Sequence, residues 1–466
     1  MAHTRDLTKE DIYLKARIMS EGLRVDGLEL PSFQELQKGV GEVDAPKDLD
    51  MKDIDSLLRF YAACLKKESD VYQGTIANTA GITLNETGLR VMVLPNQHSR
   101  LELKRDGHKV TISEAGQVVA TGRLPKTPAW HNEKLSNGLP VTTVLPFMSK
   151  EAINIVFSLS CMNYNTNRGC RYCNLFSNPM SRRIVMLPKQ TLRAWARYQG
   201  EAVKIATDAG WRGILAVSGG ALPPAHRPEL QERLHILMDE IRNAIGDEML
   251  DRLMVVYNLY PPENFNEMND WKELGINATC FDLEVMDSAY FAAICPGKAA
   301  YKSHQWWKEA QEASVEIFGP YLRTVSLVIM GLEPMHTLLK GIDERLSKGV
   351  MPMPAVYMST PGSSYWGFRP PTAEWLVEAT DQMTDVYLKH TTKIVKSAVD
   401  TVTGGSGLVG VAGAITKRIA GKKTGGAMPQ AGNPSNPQSL VTDEIRLRTQ
   451  GIKGKFSVIG EILKAF

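Results

Sequence analysis

Apolar and polar positions along the chain change their spacing three times. Up to about residue 80 apolar residues recur at helical spacing, as in Leu57, Leu58, Phe60, Tyr61 and Cys64, which predicts helix with Cys64 as a small core residue. From about 88 to 123 the period drops to two. Leu89-Arg90-Val91-Met92-Val93 and Leu101-Glu102-Leu103 alternate, and Val118-Val119-Ala120 adds a further apolar run. Asp106-Gly107 and Ala115-Gly116 supply turns, so a small antiparallel sheet is expected here. From about 152, β-branched runs alternate with amphipathic segments of helix length. The runs lie at 153–159, 213–217, 253–257, 278–285, 324–330 and 354–358. The helical segments lie at about 189–209, 227–245, 264–274, 302–317, 335–348 and 371–390. Six β–α units in sequence predict parallel strands with helices outside them. Eight units would close a TIM-like barrel; six predict a partial (β/α)6 one.

The last stretch reads differently. Residues from about 403 to 437 are rich in Gly, Ala, Pro, Ser and Asn, the composition of a flexible connector. Its apolar piece, Leu408 to Ile415, is too short to span a membrane, and Lys417, Arg418, Lys422 and Lys423 read as a solvated run. From about 440 apolar residues return, including Ile445, Leu447, Phe456, Val458, Ile459, Ile462 and Leu463, as in a segment that folds back or meets a partner. The expected organisation is an α/β chain in three parts. Residues 1–150 are a helical and antiparallel-sheet lead-in, 151–392 the partial barrel, and 393–466 a connector with a C-terminal segment.

Composition narrows the function classes. The chain has 466 residues with 54 Lys and Arg against 51 Asp and Glu, a net charge of +3, which gives no general reason to expect a nucleic-acid or membrane partner. Six cysteines in a chain this long do not form a disulfide scaffold. The N-terminus is polar, without the apolar core of a signal segment, and no apolar run approaches the ~20 residues of a membrane helix. A reducing cytoplasm is therefore the expected compartment.

Candidate chemistry concentrates in one loop. Cys161, Cys170 and Cys173 are spaced C-x8-C-x2-C just beyond the first core strand, with Tyr172 before the last cysteine. Barrels of this kind carry their reactive groups at the C-terminal ends of strands. Three thiolates in one loop suit three irons of a [4Fe-4S] cubane and leave the fourth iron open to a small chelating molecule. The competing reading is zinc. Zinc wants four ligands, and the nearest histidine downstream is His226.

In these residues the chain resembles the radical S-adenosylmethionine (radical SAM) superfamily, although its first cysteine gap is eight residues where that superfamily usually has three. The resemblance implies an oxygen-sensitive [4Fe-4S] cluster on Cys161, Cys170 and Cys173, with S-adenosylmethionine on the open iron. It implies reductive cleavage to a 5'-deoxyadenosyl radical that abstracts hydrogen from a substrate, with flavodoxin or ferredoxin as one-electron donor. Ser218-Gly219-Gly220 ends the second strand where the superfamily binds the methionine amino group through Gly-Gly-Glu; Ala221 stands in place of the Glu, so backbone carbonyls and Ser218 would carry that contact. Glu284, with Asp282 in reserve, is the candidate for the ribose hydroxyls, and Arg323 for the methionine carboxylate. Tyr172 is a further candidate for contact with the cosubstrate.

The end of the fifth strand, 328–333, loosely resembles an adenine-side motif, with Val328 and Ile329 read as core, and Pro361-Gly362-Ser363 marks a turn on the same side. Cys295 is a candidate hydrogen donor, auxiliary-cluster ligand or inert thiol; Cys280 lies inside the fourth strand. Lys298 and His304 are candidates for an acidic substrate. The reaction expected is one of cofactor or natural-product biosynthesis. The alternatives are radical modification of RNA, protein or peptide, and, in another class, a non-catalytic zinc or iron–sulfur protein.

Overall fold

A computed structural model describes residues 5–25, 50, 52–60, 81–145, 151–158, 161–173, 187–360, 363–403 and 439–450. Cys64, Pro361, Gly362, the expected connector from 404 onward and the apolar positions after 450 lie outside the described residues.

Helix α1 (Lys9–Glu21) begins where Asp11 accepts the Thr8 backbone N–H at 2.8 Å, closing the first turn. The N-terminal sheet contains β1 (Arg24–Val25), β2 (Ile82–Leu84), β3 (Arg90–Val91), β4 (Leu101–Asp106), β5 (Lys109–Glu114) and β6 (Gln117–Arg123), in the order β1-β4-β5-β6-β2-β3. Its pairings are antiparallel except that of β1 with β4. The turns fall at Asp106-Gly107 and Ala115-Gly116, between the paired strands, as their residue types demand. Leu101, Leu103, Val110 and Ile112 point to one face and are buried there with Ile12 and Ala16 of α1.

The second sheet is all parallel. Its strands are β7 (Ala152–Ser158), β8 (Ile214–Gly219), β9 (Met254–Asn258), β10 (Ala278–Cys280), β11 (Tyr321–Met330) and β12 (Val350–Val356), and they lie side by side in chain order. Between them run α2 (Lys189–Asp208), α3 (Leu230–Ile245), α4 (Met268–Glu273), α5 (Ser288–Ile294), α6 (Pro296–Tyr301), α7 (His304–Phe318) and α8 (Met335–Ser347). Stepping one strand at a time through right-handed crossovers sends the helices to a single face of the sheet. That face is apolar: Ile153, Ile155, Phe157, Leu215, Val217 and Val255 pack with Leu192, Trp195, Leu234 and Ile241. All described pairings in this sheet are parallel, so every strand presents its C-terminal end to one rim.

Two strands depart from the sequence reading, each for a physical reason. The fourth was expected to run to 285 but ends at Cys280. Beyond it, side chains replace ladder bonds: Asp282 Oδ1 accepts the Leu327 N–H at 2.8 Å, and Ser326 Oγ accepts that of Leu283 at 3.0 Å. A single bridge, Glu284 to Val328, restores pairing further on. The sixth starts at Val350, four residues before the expected position. It carries Pro352 and Pro354, and it can do so because it is an edge strand.

Helix α9 (Ala373–Thr403) runs 13 residues beyond the expected end at 390, and α10 (Val441–Thr449) returns to the start of the chain. Lys15 of α1 and Asp443 of α10 form an ion pair of 2.6 Å with both side chains fully buried. Leu7 and Gln450 exchange two hydrogen bonds, of 3.0 and 2.8 Å, and Arg448 meets Asp381 and Asp385 of α9. Among the described residues no helix is long and apolar enough to cross a membrane.

Candidate active site at the cysteine loop

The loop carrying Cys161, Cys170 and Cys173 leaves the C-terminal end of β7, and three neighbouring segments hold it. The Met162 N–H donates to Ala221 O at 3.0 Å, just past β8, and the Ala221 N–H donates back to Cys161 Sγ at 3.4 Å. The Arg171 N–H donates to Ile294 O at 2.9 Å and the Gly297 N–H to Arg168 O at 2.9 Å, tying the loop to α5 and α6. The Tyr365 N–H donates to Arg171 O at 2.8 Å, from beyond β12. Gly297 has no room for a side chain: a Cβ there would overlap Asn163 and stand 2.6 Å from Arg168 O.

All three loop cysteines are half-buried and unbridged. Burial pushes the Cys161 thiol up, and the Ala221 N–H opposes it. The neighbouring Cys295 thiol, followed by burial, pushes the Cys170 thiol well up. Cys295 is fully buried at the C-terminal end of α5, so the structure brings it beside a loop cysteine from which it is 125 residues distant in sequence. Among the described residues no three His, Cys, Asp or Glu side chains gather as a site for one metal ion. The donor set suits a cluster that takes one thiolate per iron: three thiols on one loop, with a backbone N–H already on one sulfur.

Behind the loop lies a buried polar group. Lys298 of α6 places Nζ 2.7 Å from Glu284 Oε1 and 2.7 Å from Asp282 O, with the ring of Trp307 at 5.0 Å. Burial opposes the Lys298 charge, yet Glu284, Cys170 and Asp282 hold the ammonium well above its usual range. Glu284 is 5% exposed, has φ of +70°, and its Oε2 meets no hydrogen-bond partner among the described residues. An acceptor held like this is ready for a ligand hydroxyl. Burial and the Glu284 charge push Asp282 up to about 6, while Cys280 donates to its Oδ1 at 2.9 Å.

Tyr172 packs against the cluster of Ile329, Ala355 and Tyr357, an apolar wall on β11, β12 and the loop after them, which Tyr365 also covers. Burial, then the charge of Glu284, pushes its phenol well up. Ser218, the last residue but one of β8, lies opposite Val156 and Asn258. Gly219 has φ of +154°, and a Cβ there would stand 2.8 Å from Ser158 O; Gly220 follows, buried. Val328 is fully buried and Ile329 nearly so, as expected of core residues.

Arg323 lies elsewhere. It sits at the N-terminal end of β11, the rim opposite the cysteine loop, where burial lowers its pKa and its Nη1 donates to Asn277 O at 3.0 Å. His304 is also committed, with Nε2 3.3 Å from Val285 O and its ring against Phe291. Ser363 is buried and donates to Thr360 O at 2.8 Å. Sequence reasoning offered Lys298 for an acidic substrate, whereas in the structure it is buried against Glu284 of its own chain. Its pairing depends on α5 and α6, two short helices that leave almost no periodic signal.

No family model matches the chain. It is similar to the bacteriochlorophyllide c C-7(1)-hydroxylase of Chlorobaculum limnaeum, with 39% identity over 393 residues that cover 84% of this chain and 88% of the relative.

Proposed function

The chain belongs to the radical SAM enzyme superfamily of its hydroxylase relative, and on that premise we propose that it hydroxylates an unactivated carbon of a chlorin-type tetrapyrrole. The observation that carries this reading is the 39% identity extending over most of both chains. A [4Fe-4S] cluster with S-adenosylmethionine supplies one-electron cleavage of a sulfonium C–S bond and hydrogen-atom abstraction from the substrate.

In this reading the six parallel strands form the wall of a partial barrel, and the protein's own side chains bind, orient and exclude water. Cys161, Cys170 and Cys173 hold the cluster, and Cys295 shields Cys170 without replacing a ligand. The carbonyls of Ser218, Gly219 and Gly220 take the cosubstrate's amino group. Glu284 Oε2, fixed from behind by Lys298, accepts from a ribose hydroxyl; the short ion pair and the unused oxygen support this assignment. Tyr172 and its apolar wall cover the adenine side. A dry pocket of this kind protects a primary radical from quenching. The electron balance is simple. Replacing C–H by C–OH with water as the oxygen source removes two electrons from the substrate, and reductive cleavage of one S-adenosylmethionine takes up two. A flavodoxin or ferredoxin primes the first electron.

The test is anaerobic reconstitution with iron, sulfide, dithionite and S-adenosylmethionine, followed by assay with a bacteriochlorophyllide. The expected result is one 5'-deoxyadenosine per hydroxyl installed, with Cys170→Ala losing iron and product and Cys295→Ala keeping its iron. Full iron content and full 5'-deoxyadenosine yield in Cys170→Ala overturn the assignment.

A further inference from the structure

A cavity of about 480 Å³ opens between the loops that follow β8 and β9. Phe157, Leu222 and Tyr257 are its buried lining, and Tyr260 and Tyr301 are aromatic walls. It adjoins the cysteine loop at three points. Ala221, which lines it, donates to Cys161 Sγ at 3.4 Å; Asn163 donates to Tyr260 Oη at 2.6 Å; and Arg227 Nη2 reaches Met162 Sδ at 3.9 Å.

The charges at its mouth are loosely paired. Arg227 and Lys302 both face Glu263, at 3.9 and 4.0 Å, and that carboxylate is 57% exposed. Glu267, the other acid on the lining, instead accepts from Gln231 at 2.7 Å. Arg227 lies over the Tyr301 ring at 4.2 Å, and Lys302 over the same ring at 5.6 Å. The ring holds the guanidinium at the cavity mouth, where its side chain is 28% exposed. Among the described residues no oxygen accepts a hydrogen bond from Arg227. A forked donor held over a ring, beside an aromatic cavity and without an oxygen acceptor among the described residues, suits a planar molecule with a carboxylate.

Building on the tetrapyrrole reading above, we propose that this cavity receives the carboxylate-bearing edge of the macrocycle. Arg227 forks onto the carboxylate in place of Glu263, and Tyr260 and Tyr301 lie along the ring. The remainder of the macrocycle extends through the mouth. Seating one edge here sets which carbon of the ring meets the cysteine loop, so the cavity determines position as well as affinity.

The test is an anaerobic titration of the reconstituted holoenzyme with pyropheophorbide a and with its methyl ester, followed by the tetrapyrrole absorbance. The wild type is expected to bind the free acid at least tenfold more tightly than the ester. Arg227→Met should bring the acid down to the level of the ester and leave the ester unchanged, and Arg227→Lys should recover part of the difference. Equal binding of acid and ester by the wild type, or equal weakening of both by Arg227→Met, overturns the proposal while the tetrapyrrole reading stands. Binding of neither compound by a holoenzyme that still makes 5'-deoxyadenosine removes the tetrapyrrole reading and this proposal together. The comparison of acid with ester in the wild type decides the matter even if a variant misfolds.

Discussion

Lys298 Nζ and Glu284 Oε1 stand 2.7 Å apart, with side chains 10% and 7% exposed, directly behind the loop that carries the three cysteines. Breaking one side of such a buried pair leaves the other charge uncompensated, at a cost of about 3–5 kcal/mol. Lys298→Met is expected to lose stability on this scale, and adding Glu284→Gln should recover much of it. Denaturant unfolding of the two variants checks this; equal losses in both would mean that the lysine acts through packing on Trp307 rather than through its charge.

Asp282 gives a pH signature. Its carboxyl is pushed from an ordinary 3.8 up to about 6, so the folded chain binds this proton more tightly than the unfolded one. Its stabilising contribution is therefore complete below 3.8, declines as pH rises through 6, and is constant above that. Asp282→Asn lacks this decline. The gap in stability in favour of the variant should widen between pH 4 and 6 to on the order of 2 kcal/mol and then level off. A flat difference across that range would contradict the burial of this acid.

Gly297→Ala tests how the loop is seated. The added methyl would overlap Asn163 and press on Arg168 O, so the cysteine loop must shift. Overpacking of this kind costs about 1–3 kcal/mol. The expected readout is a clear fall in iron bound per chain after reconstitution, with far-ultraviolet circular dichroism unchanged. Full iron occupancy would mean that the loop takes up its cluster without the α6 contact.

The Lys15–Asp443 pair at 2.6 Å predicts a non-additive double-mutant cycle. Lys15→Met and Asp443→Leu should each cost about 3–5 kcal/mol, and the double variant should return close to the wild type, because two apolar side chains can occupy a seat that one stranded charge cannot. Additive losses measured by unfolding would show that the two residues act independently.

The strands were legible where side chains only had to alternate or fill a core. Ile153, Ile155, Leu215, Val217 and Val255 mark their strands by β-branching and apolarity alone. The reading failed at 281–285, where Asp282 and Ser326 side chains replace main-chain pairing, and at 350–353, where prolines are tolerated only because β12 lies at an edge. The cysteine loop was legible because its residues are close in sequence. The Cys170–Cys295 approach, the Lys298–Glu284 pair and the Arg227 cavity join residues from separate elements, 14 residues apart for Lys298 and Glu284 and 125 for the two cysteines, and no local pattern encodes them. Arg323 was misplaced for an avoidable reason: a residue that opens a parallel strand belongs to the rim opposite the one where β7 releases its loop.

The clasp between α1 and α10 also governs when the protein can be finished. Lys15 emerges from the ribosome early and waits through 428 further residues for its aspartate. Until then the Lys15–Asp443 pair cannot form, so this clasp on the first helix is absent during synthesis of the preceding residues. A premature stop anywhere before residue 443 would leave a product whose opening helix lacks this clasp, however intact the cysteine loop it carries.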